Sequence, residues 1–87
     1  MTKWILKFTQ SGEDDLCALD SSVRKRVVEK LRWLEENFLR IELELLGGKW
    51  KGYYKLRVGD WRVIYTLVHQ GSIIKILRIE LRDKVYK

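Results

Sequence analysis

The sequence predicts an α+β fold with the element order β-α-α-β-β-β, in which an αα-hairpin packs on one face of a small, mostly antiparallel sheet. Three observations predict it. A turn at Gly59-Asp60 joins two strand-like runs, apolar residues recur at helical spacing in residues 23–34, and two further runs have the composition of strands. With 87 residues, the chain is expected to form one domain, residues 1–87.

The hairpin is the most specific part of this prediction and lies in the run YYKLRVGDWRVIY, residues 53–65. Gly59 supplies without strain the positive φ that a tight two-residue loop needs. If Gly59 and Asp60 are the loop, the register of the two strands follows. The predicted cross-strand pairs are Val58 with Trp61, Arg57 with Arg62, and Lys55 with Ile64.

This register sorts the hairpin into an apolar face and a basic face, because side chains alternate along a strand. The apolar face is expected to join the core and contains Leu56, Val58, Trp61, Val63 and Tyr65. The basic face contains Tyr53, Lys55, Arg57 and Arg62. Like charges directly opposite each other cost stability, so Arg57 opposite Arg62 is most easily explained by an anion bound there.

The N-terminal half supplies a strand and both helices. Residues 3–9 alternate as a first strand, and Ser11 is the expected N-cap of a short helix that runs through Leu19. The second helix is predicted at residues 22–37. Its buried stripe is expected to consist of Val23, Val27, Leu31 and Leu34. Cys17 is interpreted as a small buried or half-buried residue.

Two further segments complete the chain. Residues 38–48 are interpreted as a loop with partial helix, although their alternation leaves a short strand open. Residues 72–80 are predicted as the last strand, reached through a second turn at Gln70-Gly71. Apolar residues on both faces of that strand favour a central position in the sheet.

Composition excludes most catalytic sites. The one histidine, His69, lies beside a turn and is interpreted as exposed and idle, and one histidine with one cysteine cannot build a zinc site. There is no glycine-rich phosphate loop. We therefore expect no metal and no cofactor. No run approaches the roughly 18 apolar residues of a membrane span, and there is no signal-peptide pattern. The single cysteine rules out an internal disulfide and fits a reducing cytoplasm, where the protein is expected.

The net charge of +6 is unevenly distributed. Residues 1–48 contain eight Lys or Arg and nine Asp or Glu, a net charge of −1. Residues 49–87 contain ten Lys or Arg and three Asp or Glu, a net charge of +7. A basic field on one side of a small domain indicates a polyanion or an acidic protein partner.

Arginine, lysine and tyrosine remain as functional groups, and they suit one reaction in particular. RNA brings its own nucleophile, the 2′-hydroxyl, so cleavage needs a base, stabilisation of the charge on phosphorus, and an acid for the leaving oxygen. Guanidinium groups are suited to the second task because they are planar, charged and bidentate to phosphate. A tyrosine or lysine among other cations can serve as the base.

The run YYKLRVGDWRVIY, followed by IIKILRIELRDKVYK, resembles the RelE/ParE superfamily of toxins from type II toxin–antitoxin systems. RelE-type members cut mRNA in the ribosomal A site with a basic surface on the sheet. The resemblance implies a catalytic set in which Arg62 stabilises the scissile phosphate, Lys55 holds phosphate or helps to deprotonate, Arg82 is a second cation and acid, and Tyr86 stacks on a base or acts as general base. The remaining RNA contacts are expected from Lys49, Lys51, Arg57 and Tyr53.

The sequence departs from the family pattern at two positions. Many relatives have histidine where this chain has Leu81, and some ribosome-dependent members have a cation where this chain has Tyr53. Other members of the superfamily inhibit DNA gyrase and have no nuclease residues. A ParE-like, non-nuclease gyrase inhibitor and a basic RNA-binding module without toxicity therefore stay open beside the nuclease.

The resemblance also implies partners. A toxin of this kind is expected to bind the ribosome, mRNA and an acidic antitoxin that wraps the domain and covers its cations. Two structural alternatives stay open for the site: Arg62 pairs with Asp60 or with an acid across the sheet, and Tyr86 is a packing residue.

Overall fold

The structure is a computed structural model that describes residues 3–46 and 52–81. Its helices are α1 (Gln10–Cys17) and α2 (Ser21–Asn37), and its strands are β1 (Ile5–Phe8), β2 (Glu44–Leu45), β3 (Tyr54–Val58), β4 (Trp61–Val68) and β5 (Ile73–Leu81). The predicted element order is confirmed with one addition. The two-residue strand β2 lies in the segment interpreted as a loop with partial helix, where the short-strand alternative is the one observed.

The five strands form one sheet in the order β1-β5-β4-β3-β2. The β1–β5 pair is parallel, and the other three pairs are antiparallel. Both helices pack on one face, which confirms the predicted α+β class. Strand β5 lies between β1 and β4, which is the central position that its apolar residues on both faces predicted.

The β3–β4 hairpin has the predicted register. Lys55 pairs with Ile64, Arg57 with Arg62, and Val58 with Trp61. Gly59, the first loop residue, has a φ of 60°. A type II′ turn requires a positive φ at that position, and this turn matches the right-handed twist of the two strands.

A β-bulge in β5 decides which of its residues face the helices. Tyr65 pairs with Ile76 and Ile64 pairs with Arg78, so Leu77 is the extra residue on β5. A bulge moves the following residues to the opposite face relative to simple alternation. As a result the apolar Ile74, Ile76 and Ile79 all belong to the core cluster under the helices.

Helix α1 begins two residues earlier than predicted, and Ser11 is not its N-cap. Thr9 is the N-cap, and its hydroxyl accepts a hydrogen bond from the backbone N–H of Gly12 at 3.0 Å. The same hydroxyl donates to the Ile76 carbonyl at 3.2 Å, and the Thr9 N–H donates to it at 2.9 Å. Thr9 is the N-cap because its backbone N–H and its hydroxyl both bind the Ile76 carbonyl of β5, which fixes the end of β1 and the start of α1.

The core lies between α2 and the covered face of the sheet. Val27, Leu31 and Leu34 of α2 are buried as predicted, whereas Val23 is only half-buried. The predicted apolar face of the hairpin is confirmed, because Leu56, Val58, Val63 and Tyr65 belong to the buried cluster and Trp61 packs against it.

Helix α1 covers the part of the β5 edge that β1 leaves unpaired. The Asp15 carboxylate accepts hydrogen bonds from the backbone N–H of Ile79 at 2.9 Å and from Arg78 Nε at 2.8 Å. Gly12 approaches the same edge so closely that a Cβ there would lie 2.5 Å from the Ile76 carbonyl oxygen. Helix α1 therefore covers this edge of β5 and satisfies the Ile79 N–H, which a neighbouring strand would otherwise have to do.

Arg24 holds the turn between the helices. It is half-buried and donates to the carbonyls of Leu16, Cys17 and Leu19 at the end of α1. Cys17, the last residue of α1, is exposed and not buried or half-buried as interpreted from the sequence. Within the described residues, neither helix has the length and apolar character needed to cross a membrane.

Candidate nucleic-acid interface

The sheet face opposite the helices is rich in cations, and we refer to it as the open face. Strand register places its charged residues in neighbouring rows, and they are Lys55 and Arg57 on β3, Arg62 on β4, and Lys75, Arg78 and Glu80 on β5. The hairpin residues of this set were predicted from the turn. Lys75, Arg78 and Glu80 were missed because the bulge at Leu77 breaks the alternation that would have assigned them to one face.

The open face has an apolar floor at Ile64. This residue is fully buried, at 0% exposure, yet it lies outside the core cluster that the helices cover. Its cross-strand neighbours are Lys55 and Arg78. Arg78 Nε also donates to Asp15 at 2.8 Å, so that carboxylate offsets part of its charge.

Arg62 forms an ion pair at the centre of this face. Its Nη2 donates to Glu80 Oε1 at 2.7 Å, and Glu80 is its cross-strand partner on β5. The sequence interpretation explained the Arg57–Arg62 juxtaposition by a bound anion. The structure shows the open alternative, an acid across the sheet, whose carboxylate offsets the like charges, and the bound anion stays a prediction.

The pair is a poor source of stability. The Arg62 side chain is 14% exposed and that of Glu80 33% exposed, and an ion pair near the surface contributes about 0–1 kcal/mol. Within the described part of the chain, Arg62 Nε is buried without a hydrogen-bond partner. An unsatisfied buried donor costs about 1–3 kcal/mol, which is at least as large as the gain from the pair.

Lys55 lies at the edge of the open face that β2 flanks. Its register partner on β2 is Glu44, and it lines a hollow of about 200 Å³ between β3 and α2 together with Lys30 and Arg57. Tyr53 precedes β3, and its carbonyl accepts the backbone N–H of Leu46 at 2.9 Å. The structure therefore brings Lys55, Arg57 and Arg62 onto one surface, as the register predicted.

Four predicted site residues lie outside the described residues. They are the catalytic candidates Arg82 and Tyr86 and the RNA contacts Lys49 and Lys51. Their roles stay predictions. Leu81, where many relatives have histidine, is the last residue of β5 and pairs with Trp61, so the register assigns it to the helix-covered face.

A second basic groove runs between α2 and β3. It has a volume of about 440 Å³ and is lined by Arg26, Lys30, Trp33 and Arg57, among others. Trp33 is 40% exposed, and Lys30 Nζ lies 4.1 Å from the centre of its ring. This cation–π contact holds the ammonium group at the mouth of the groove, so positive charge continues around the edge of the sheet.

Two other groups complete the chemical inventory. His69 is exposed beside the β4–β5 turn, as expected, and meets the Trp4 ring edge-on at a centroid distance of 5.5 Å. Burial, followed by the neighbouring Tyr54 and Glu44, raises the pKa of Tyr65 to about 12. Tyr65 therefore stays protonated at neutral pH. Among the residues that the structure describes, no group of three His, Cys, Asp or Glu side chains is placed to hold a metal.

The family model for the ParE toxin of the type II toxin–antitoxin system parDE matches residues 6–86. The chain belongs to this family. The toxin is thus a member of the RelE/ParE superfamily that its hairpin and C-terminal run resemble. No curated protein sequence matches it at a significant level.

Solved structures of toxins share its fold. It is similar to the RelBE2 toxin–antitoxin complex from Mycobacterium tuberculosis, with a TM-score of 0.79, 26% identity and coverage of 93% of this chain and 100% of that one. For the RelE–RelB complex from Pyrococcus horikoshii the TM-score is 0.72 and the identity 28%, with coverage of 93% of this chain and 97% of that one. For the isolated RelE toxin of Escherichia coli the TM-score is 0.74 and the identity 22%, with coverage of 90% of this chain and 83% of that one. At this identity the similarity shows a shared fold only.

Proposed function

We propose that this toxin is a ribosome-dependent mRNA endoribonuclease that inhibits translation. The observation that supports it best is the row formed by Lys55, Arg57 and Arg62, which the hairpin holds on the open face. Residues on paired strands keep their spacing, so the row is preorganised for a phosphate backbone. The structural similarity to RelE toxins supports the same function.

In the proposed reaction the 2′-oxygen of the RNA attacks the adjacent phosphorus, and the P–O5′ bond breaks to leave a cyclic phosphate and a 5′-hydroxyl. Arg62 stabilises the charge that develops on the phosphoryl oxygens, and Lys55 and Arg57 hold the flanking phosphates. Arg82 and Tyr86 retain the roles that the family resemblance implies, as second cation and as stacking or proton-transferring residue.

The proposed partners are the ribosome, mRNA and an acidic antitoxin. Similar toxins from M. tuberculosis and P. horikoshii were crystallised as complexes with antitoxins. A net charge of +7 in residues 49–87 suits an acidic chain that covers the cations. If charge drives this binding, antitoxin affinity should fall as salt concentration rises.

The test is primer extension on cellular mRNA after brief induction of the toxin. The wild type should produce cuts within translated codons, and Arg62→Ala should abolish them. Arg32→Ala is the matched control, because Arg32 is an exposed arginine on α2 and its loss changes net charge equally. Cuts that persist in Arg62→Ala would contradict the proposal.

A second candidate is a ParE-like toxin that inhibits DNA gyrase without cutting RNA. The Arg62–Glu80 pair favours it, because a carboxylate 2.7 Å from the arginine offsets the charge that would bind phosphate. Growth arrest without mRNA cuts, together with inhibition of supercoiling by the purified toxin, would support this candidate over the nuclease.

A further inference from the structure

Glu80 is an acid in an otherwise basic surface. It is the one acidic residue in strands β3, β4 and β5. The bulge at Leu77 turns it toward the open face, where it contacts Arg62 through Oε1 at 2.7 Å. Its side chain is 33% exposed, so it remains accessible to a ligand that binds Arg62.

Stability does not explain the contact, since the pair leaves Arg62 Nε buried without a partner in the described part of the chain. The carboxylate also keeps acceptor capacity beyond the bond that Oε1 accepts. A group that accepts protons therefore lies in contact with the group that would stabilise a phosphorane.

We propose that Glu80 is the general base of the toxin and takes the proton from the attacking 2′-hydroxyl, an inference that rests on the endoribonuclease function proposed above. In the transition state the 2′-oxygen and the phosphoryl oxygens are bonded to the same phosphorus. A base in contact with the arginine that binds those oxygens is thus within reach of the hydroxyl.

The reaction balances without a further reagent. The 2′-hydroxyl gives its proton to Glu80 as the O2′–P bond forms and the P–O5′ bond breaks. The leaving O5′ takes a proton from water, and the proton on Glu80 neutralises the hydroxide that remains. Arg62 stays charged throughout, and its guanidinium stabilises first the phosphorane and then the cyclic phosphate.

This assignment also accounts for Leu81. The chain lacks the histidine that many relatives have there, and Leu81 pairs with Trp61 on the helix-covered side. Its neighbour Glu80 faces the opposite side of the strand, where the proposed substrate lies. A proton acceptor is therefore present on the open face without that histidine.

In the opposite role, Glu80 would compete with RNA phosphate for Arg62 and weaken RNA binding. Substitution of Glu80 distinguishes this role from that of a general base. We would measure single-turnover cleavage of mRNA on programmed ribosomes. Glu80→Gln keeps an acceptor for Arg62 but removes the base, so its rate should fall about 100-fold or more. Glu13→Gln changes net charge equally at an exposed position on α1 and should cleave like the wild type.

Chemical rescue distinguishes a missing base from damaged structure. Glu80→Ala should regain cleavage in added formate or acetate, which can enter the space beside Arg62, whereas the wild type should not respond. Glu80→Gln that cleaves as fast as the wild type or faster, or a slow Glu80→Ala that small carboxylates do not rescue, would overturn the assignment while leaving the nuclease in place. A wild type that cuts no mRNA on ribosomes would overturn the proposed function itself.

Discussion

The two faces of the sheet are built from the same strands but differ in chemistry, because one is apolar and buried under the helices and the other carries charged side chains. On the covered face Val63 and Ile74 are 0% exposed, and they share one core cluster with Val27 and Leu31 of α2, which are at most 2% exposed. On the open face Arg62 has one charged partner and one unsatisfied nitrogen among the described residues. The first arrangement is expected to stabilise the fold, and the second leaves interactions for a ligand.

The difference means that stability and activity should separate by face. A domain of this size has about 5–15 kcal/mol of stability in total, so one poorly filled core position removes a large share. An exposed or half-exposed ion pair changes it by about 1 kcal/mol or less. Substitutions on the covered face should unfold the toxin before they reveal anything about function.

The largest expected effect on stability is at Leu31, which is 2% exposed. Leu31→Ala should lower the free energy of unfolding by about 2–5 kcal/mol, because it removes buried methyl groups and leaves a cavity. Urea unfolding followed by tryptophan fluorescence would measure it. The matched control is Leu39→Ala, the same change at a residue that is 65% exposed, which should shift the free energy by about 0.5 kcal/mol or less. Equal effects at the two positions would break the comparison.

Tyr65 sharpens the comparison because it places a polar hydroxyl on the covered face. Its pKa is raised to about 12, whereas an unfolded tyrosine ionises near 10. The unfolded state therefore loses its proton first, so this contribution to stability is complete below pH 10 and is lost as pH rises to about 12. The loss should reach about 2–3 kcal/mol.

Alkaline unfolding of the wild type and Tyr65→Phe would measure this loss. The phenylalanine variant should lose less stability between pH 10 and pH 12 than the wild type. Identical pH dependence in the two proteins would show that the Tyr65 hydroxyl ionises as readily in the folded state as in the unfolded state.

The smallest expected effect lies at the edge where the two faces meet. Thr9→Ala should cost about 0.5–2 kcal/mol, because the hydroxyl caps α1 and donates to the Ile76 carbonyl. Ser11→Ala, at the position that the sequence favoured as N-cap, should be close to neutral. Thermal unfolding of the two variants would rank them, and the reverse order would contradict the capping geometry.

Sequence reasoning reached the parts of the fold that local chemistry determines. The turn glycine set the hairpin register, and the helical spacing of Val27, Leu31 and Leu34 set the buried side of α2. Sequence reasoning was wrong where contacts between residues far apart in the chain determine the local structure. Thr9 replaces Ser11 as the N-cap because β5 lies beside it, and the exposure of Cys17 depends on the packing of the whole helix, which its neighbours in sequence do not reveal.

The same limit applies to the site. Lys55, Arg57 and Arg62 were predicted together, since two paired strands and one turn place them. Glu80 was not assigned to the site, because its face depends on the bulge at Leu77, and no turn or cap residue in the sequence signals that bulge. The residue that sequence reasoning missed is therefore the one that contacts the central arginine.

The most direct test of the account measures Arg62→Ala in two assays, cleavage of mRNA on programmed ribosomes and urea unfolding. We expect cleavage to fall about 100-fold or more while the free energy of unfolding changes by about 1 kcal/mol or less. Cleavage at the wild-type rate, or a loss of cleavage that only follows a loss of folded protein, would contradict the claim that the open face serves function and the covered face serves stability.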